Sequence, residues 1–192
     1  MSSISTVGPR TLADVIPGGL VRNIALVVGG AGFVGLSAQL AVPLPFTPIP
    51  LSLQTFSVLL TVAVLGSTRG VLSMGLYLLA GMAGVPWFAS HNSGWQFASF
   101  GYVVGFIVAA LVVGLLAERG ADRTLLRAAG LMVLGNIAIY ACGVTGLMGF
   151  TGMSLPKAVA LGVVPFLIGD AIKIALAAGL LPAAWKLVSR GR

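Results

Sequence analysis

FGYVVGFIVAALVVGLLA, residues 100–117, carries no charged side chain and runs straight into the charged turn Glu118 to Arg127. A helix crossing the hydrocarbon core of a bilayer needs about 20 predominantly apolar residues, and this run supplies that length. A water-soluble helix would need a polar stripe for its solvent side, whereas the only polar side chain here is Tyr102. The stretch reads as a membrane span.

The pattern repeats on both sides of it. Toward the C-terminus a second span is expected at about 128–148. A short interfacial helix from Ser154 to Leu161 follows, with Ser154 as its cap and Pro156 in its first turn. A last span then runs from near Pro165 to about Val188. Toward the N-terminus the loop Val85–Ser99 holds Trp87, His91, Asn92 and Trp95. Before it come two shorter helices, about Gln54–Leu65 and Gly70–Gly84, with Arg69 between them. Pro43, Pro45, Pro48 and Pro50 cannot be helix interior and mark a stiff, extended loop, before which a first span occupies about 23–42.

Composition supports the same reading. The 192-residue chain is 58% hydrophobic and 8% charged, against roughly 25% charged residues in a soluble domain, and its mean hydropathy is +1.07. The expectation is an all-α integral membrane protein of six transmembrane helices, one membrane domain over 23–188 with cytoplasmic tails at 1–22 and 189–192. Arg10 and Arg22 ahead of an apolar run resemble the charge order of a signal peptide, but the run is too long for its core. The single Cys142 offers no disulfide and no metal framework.

Lys and Arg in short loops stay on the cytoplasmic side. In a six-span arrangement Arg10, Arg22, Arg69, Arg119, Arg123, Arg127, Lys186, Arg190 and Arg192 fall on one side; Lys157 falls on the other and Lys173 within the membrane. Both termini are therefore expected in the cytoplasm, with the loops 43–53, 85–99 and 144–164 gathered on the external face. The net charge of +7 is spread over these loops with no basic tract or aromatic platform, so no nucleic acid partner is expected.

Asp170 and Lys173 are the residues most expected to act on a ligand. An ionisable group inside a span costs on the order of 3 kcal/mol or more and is a functional candidate by default, and a spacing of three puts both on one helix face. The competing reading is an ion pair that only locks two helices together. Asn136 and Tyr140, four apart, share a face of the fifth span, as ligand contacts or as interhelical hydrogen bonds. Gln54 and Thr47 flank the proline-rich loop, which is either a rigid lid or a plain turn. In the first span Ala31 and Gly35 belong to a small-xxx-small pattern and are expected to form a docking face for another membrane protein. One histidine, no phosphate-binding loop and no nucleophile motif argue against an enzyme and against any ATP site or cofactor in this chain.

PLPFTPIPLSLQTF (43–56), GMAGVPWFA (81–89), GYVVGF (101–106), GNIAIYACG (135–143) and PFLIGDAIK (165–173) together resemble the BioY family of biotin-binding subunits of energy-coupling-factor (ECF) transporters. The resemblance implies a six-helix S-component bundle in a prokaryotic plasma membrane. It implies biotin as the ligand, and a membrane coupling (T) protein and two ABC ATPases as partners. On it, the ring N–H groups of biotin are expected at Asp170, the ring carbonyl at Lys173 or Asn136, aromatic walls including Tyr102 and Tyr140 around the bicycle, and the acid tail near Asn92. Alternatives are another small vitamin, or an intramembrane enzyme using Asp170 and Lys173.

Overall fold

A computed structural model describes residues 9–190; residues 1–8 and 191–192, among them Arg192, lie outside the described part. Seven helices form it: α1 Leu20–Ala38, α2 Gln54–Leu65, α3 Ser67–Met82, α4 Phe100–Glu118, α5 Leu125–Thr151, α6 Leu155–Gly162 and α7 Leu167–Arg190. Leu20–Ala38, Phe100–Glu118, Leu125–Thr151 and the α6–α7 stretch Leu155–Arg190 are long and apolar enough to cross a membrane. The 12 residues of α2 and 16 of α3 span only about 18 and 24 Å, short of a hydrocarbon core of about 30 Å.

Only Gly66 separates α2 from α3. Its φ of +81° is a left-handed conformation that glycine adopts without penalty, and a β-carbon there would strike Thr11 and Glu118. Glu118, at the end of α4, accepts the backbone N–H and the hydroxyl of Ser67, both at 2.7 Å, and so caps α3. That cap lies 51 residues away in sequence, which is why α3 begins at Ser67 rather than at the expected Gly70. α4 and α5 touch backbone to backbone at Gly101 and Gly146, and Val58, Val62, Met74, Phe106, Ala109, Val113 and Leu131 fill the centre of the bundle.

Two loops differ from expectation. The proline segment is a hairpin: β1 (Ala41–Val42) pairs antiparallel with β2 (Leu51–Ser52), and the Leu53 N–H donates to the Leu40 carbonyl at 3.2 Å. The described part of the N-terminal segment is packed, because Asp14 accepts from the Thr11 backbone and hydroxyl at 3.0 Å each and pairs with Arg69. Burial pushes the Asp14 carboxyl up, but the Arg69 guanidinium and the Thr11 donors outweigh it and hold it below the ordinary carboxylate value.

Candidate functional site

At the N-terminal end of α7 the residues from several elements converge on one cavity. Asp170 lies in the first turn of α7, where the positive end of the helix dipole favours a carboxylate, and is 4% exposed. Its Oδ1 accepts from Lys173 Nζ at 3.1 Å, and its Oδ2 accepts from the Tyr140 hydroxyl of α5. The Lys173 ammonium also donates to the Ser52 carbonyl of β2 at 2.8 Å and to Thr55 Oγ1 of α2 at 3.0 Å. All three of its donors are therefore used, whereas each Asp170 oxygen keeps capacity for a further bond.

The cavity is walled by Ile49, Phe97, Phe106 and Phe166 along with Tyr102 and Tyr140, and polar groups enter from Ser52, Gln54, Thr55, Ser99, Asp170 and Lys173. The space enclosed is about 50 Å³, reaching about 540 Å³ when the open mouth is included. Small-molecule sites enclose roughly 300–1,000 Å³, so the walls must part to enclose a ligand of ordinary small-molecule size. An apolar chamber with a few converging, mutually bonded polar groups is built to bind rather than to react.

Of the residues expected to contact ligand, Gln54, Tyr102, Tyr140, Asp170 and Lys173 line this cavity. Gln54 Nε2 donates to the Tyr77 hydroxyl at 2.8 Å, and the Tyr102 hydroxyl donates to the Gly162 carbonyl at 2.8 Å. Three others do not line it. Thr47 turns to α6, donating to the Leu161 carbonyl at 2.7 Å. Asn92 closes its own loop, donating to the Ala89 carbonyl at 2.8 Å, because Ser90 and His91 both adopt positive φ and fold the chain back there. Asn136 faces a neighbouring cleft beside Lys173; its amide donates to the Met132 carbonyl at 3.2 Å and its carbonyl oxygen is buried with no partner.

The docking face expected from Ala31 and Gly35 is corrected. Ala31 is 1% exposed, and a β-carbon on Gly35 would lie 3.0 Å from the Trp87 ring, so both face the interior. The small residues that α1 turns outward are Ala25 and Gly29. Sequence reasoning missed Ser52 and Thr55 as partners of Lys173. Their place inside the PLPFTPIPLSLQTF segment is the only signal they carry.

These features define a multi-pass helical membrane protein with a polar-floored cavity at one end of its bundle. The chain belongs to the BioY family, whose model matches residues 6–190. It is 39% identical over 140 residues to a biotin transporter BioY of Thermotoga maritima, covering 71% of this chain and 81% of that one. It is 35% identical over 159 residues to a probable biotin transporter BioY of Pyrococcus horikoshii, covering 81% and 91%. Its fold matches the solved S-component for biotin from an ECF-type ABC transporter with a TM-score of 0.78 over 86% of this chain and 92% of that one, at 21% identity.

Proposed function

We propose that this chain captures biotin from outside the cell and delivers it across the plasma membrane of a prokaryote as the substrate-binding subunit of an ECF-type transporter. The observation that carries the reading is the Lys173–Asp170–Tyr140 set, with Asp170 buried and its two partners half-buried, lining an aromatic-walled cavity. Within it Asp170 offers spare acceptor capacity to the ureido N–H groups of biotin, and the phenyl and phenol rings take the bicycle. Lys173 must surrender one of its three acceptors to bond the ring carbonyl. The acid tail, costly to desolvate, points to the cavity mouth.

The same reading makes the molecule a six-span bundle, with α2 and α3 as the two short spans and both termini in the cytoplasm. The excess of Lys and Arg on one side supports it. Cysteine labels applied from outside should reach Ser93→Cys and Lys157→Cys but not Arg127→Cys in a Cys142→Ser background; labelling at 127 would reverse the topology. The energising partners are a T protein and two ABC ATPases, and the exposed Ala25–Gly29 stripe of α1 is where close helix packing against the T protein is offered. Equilibrium binding of radiolabelled biotin to the detergent-purified chain tests the central claim: saturable binding supports it, and its absence from a folded preparation overturns it.

A further inference from the structure

Two consecutive carbonyls at the C-terminus of α6 lack helical partners. The Leu161 carbonyl would bond the N–H of residue 165 in a continuing helix, but Pro165 has none. The Gly162 carbonyl would bond the N–H of Phe166, which instead donates to Val163 at 3.0 Å. Buried carbonyls left open are rare in folded proteins, and here two hydroxyls from distant elements close them: Thr47, at the tip of the β1–β2 hairpin, donates to Leu161, and Tyr102, on the cavity wall, donates to Gly162.

The hairpin is therefore held at both ends. Its base is bonded to the site itself, through Lys173 and the Ser52 carbonyl. Its tip is held by Thr47, which is 8% exposed and also accepts the Ile49 N–H at 3.2 Å. Ile49 and Pro50 line the cavity. The tip is thus the part of the hairpin that can swing away while the Lys173–Ser52 bond at the base stays intact, and its release carries Ile49 and Pro50 with it.

We propose that Thr47 is a positioning residue for ligand retention, its hydroxyl clasping the hairpin over the cavity by the carbonyl that Pro165 leaves open. The inference rests on the biotin reading above, and it assigns Thr47 no contact with the ligand. Loss of one hydrogen bond from the closed state corresponds to release faster by about three- to tenfold.

The test uses the full-length chain, measuring dissociation of labelled biotin after a chase with unlabelled biotin. Thr47→Val, which keeps shape and removes the donor, should speed release by that factor, and Thr47→Ser should restore the wild-type rate. In a Cys142→Ser background, spin labels at Phe46→Cys and Lys157→Cys, both exposed, should report a broader tip-to-α6 distance distribution for Thr47→Val without any biotin present. Unchanged release and unchanged distances in a folded Thr47→Val protein would overturn the clasp. So would a Thr47→Val chain that fails to fold, since the bond would then belong to the scaffold, and so would a Thr47→Ser chain as fast as Thr47→Val. Wild-type protein that binds no biotin would instead sink the functional reading, and the distance measurement would still decide the clasp.

Discussion

Two carboxylates are buried at opposite ends of α7, and they are treated differently. Asp170, at its N-terminal end, has both oxygens bonded, one to a cation and one to a phenol, and it opens onto a cavity. Asp122, in the turn between α4 and α5, is 0% exposed. One of its oxygens accepts the Trp185 indole N–H of α7 at 2.6 Å, and the other has no partner. Arg123, next in the chain, lies over the Trp185 ring at 4.6 Å and forms no ion pair with the carboxylate. A buried charge fully served by partners and facing a chamber is a place to receive a ligand. A buried acid bonded to the indole of Trp185 is a latch that ties the last turns of α7 to the α4–α5 turn.

The largest expected effect tests the first half of that contrast. Asp170→Asn should weaken biotin binding by about 2–4 kcal/mol, the range for breaking a buried charge-assisted contact, or roughly 30- to 1,000-fold in Kd. Lys173→Met should do comparable harm because it strands the carboxylate. Binding isotherms within fivefold of wild type for both would reduce the pair to a helix lock.

The second half predicts stability without function. Asp122→Leu leaves the Trp185 N–H unpaired and should cost about 1–3 kcal/mol of stability, read as a lowered Tm, while biotin affinity stays within about threefold. Asp122→Asn keeps an acceptor for Trp185 and should melt at or above the wild-type temperature. A large loss of affinity in either variant would erase the distinction between the two ends of α7.

A pH series sharpens it. Burial pushes the Asp122 carboxyl above its ordinary value, with the Trp185 N–H, its own backbone N–H and Arg123 pulling only part of the way back. A raised folded-state pKa favours the folded state below the ordinary carboxylate value, near 3.9, and that benefit is lost as pH rises through the raised value. The Tm of Asp122→Asn relative to wild type should therefore climb as pH rises from about 4. Asp14, held low, behaves oppositely: its contribution is present above the ordinary value and is lost as pH falls, so Asp14→Asn should converge on wild type in acid.

The smallest effect belongs to Arg123. Arg123→Gln removes the cation over Trp185 and should cost no more than about 1 kcal/mol, visible as a slight drop in Tm. A larger drop would mean that the guanidinium, rather than the indole bond to Asp122, holds the turn against α7.

The sequence by itself determined the class of this protein and pointed to the floor of its cavity. Hydropathy and the cost of a charge in hydrocarbon are local properties, so the apolar runs 100–117 and 128–148 announced α4 and α5. The same argument singled out Asp170 and Lys173, which the fold sets on one cavity beside Tyr140. Asp122 escaped notice because a carboxylate in a charged turn looks solvated until α7 returns to cover it. Only the tertiary structure decided that Thr47 reaches α6 rather than the cavity, that Asn92 serves its own loop, and that Ala31 and Gly35 face inward. A hydroxyl or a small residue has no fixed destination in its own segment. Its partner is whatever carbonyl or ring the packing of distant helices brings within reach: for Thr47, the Leu161 carbonyl 114 residues away, and for Gly35, the ring of Trp87.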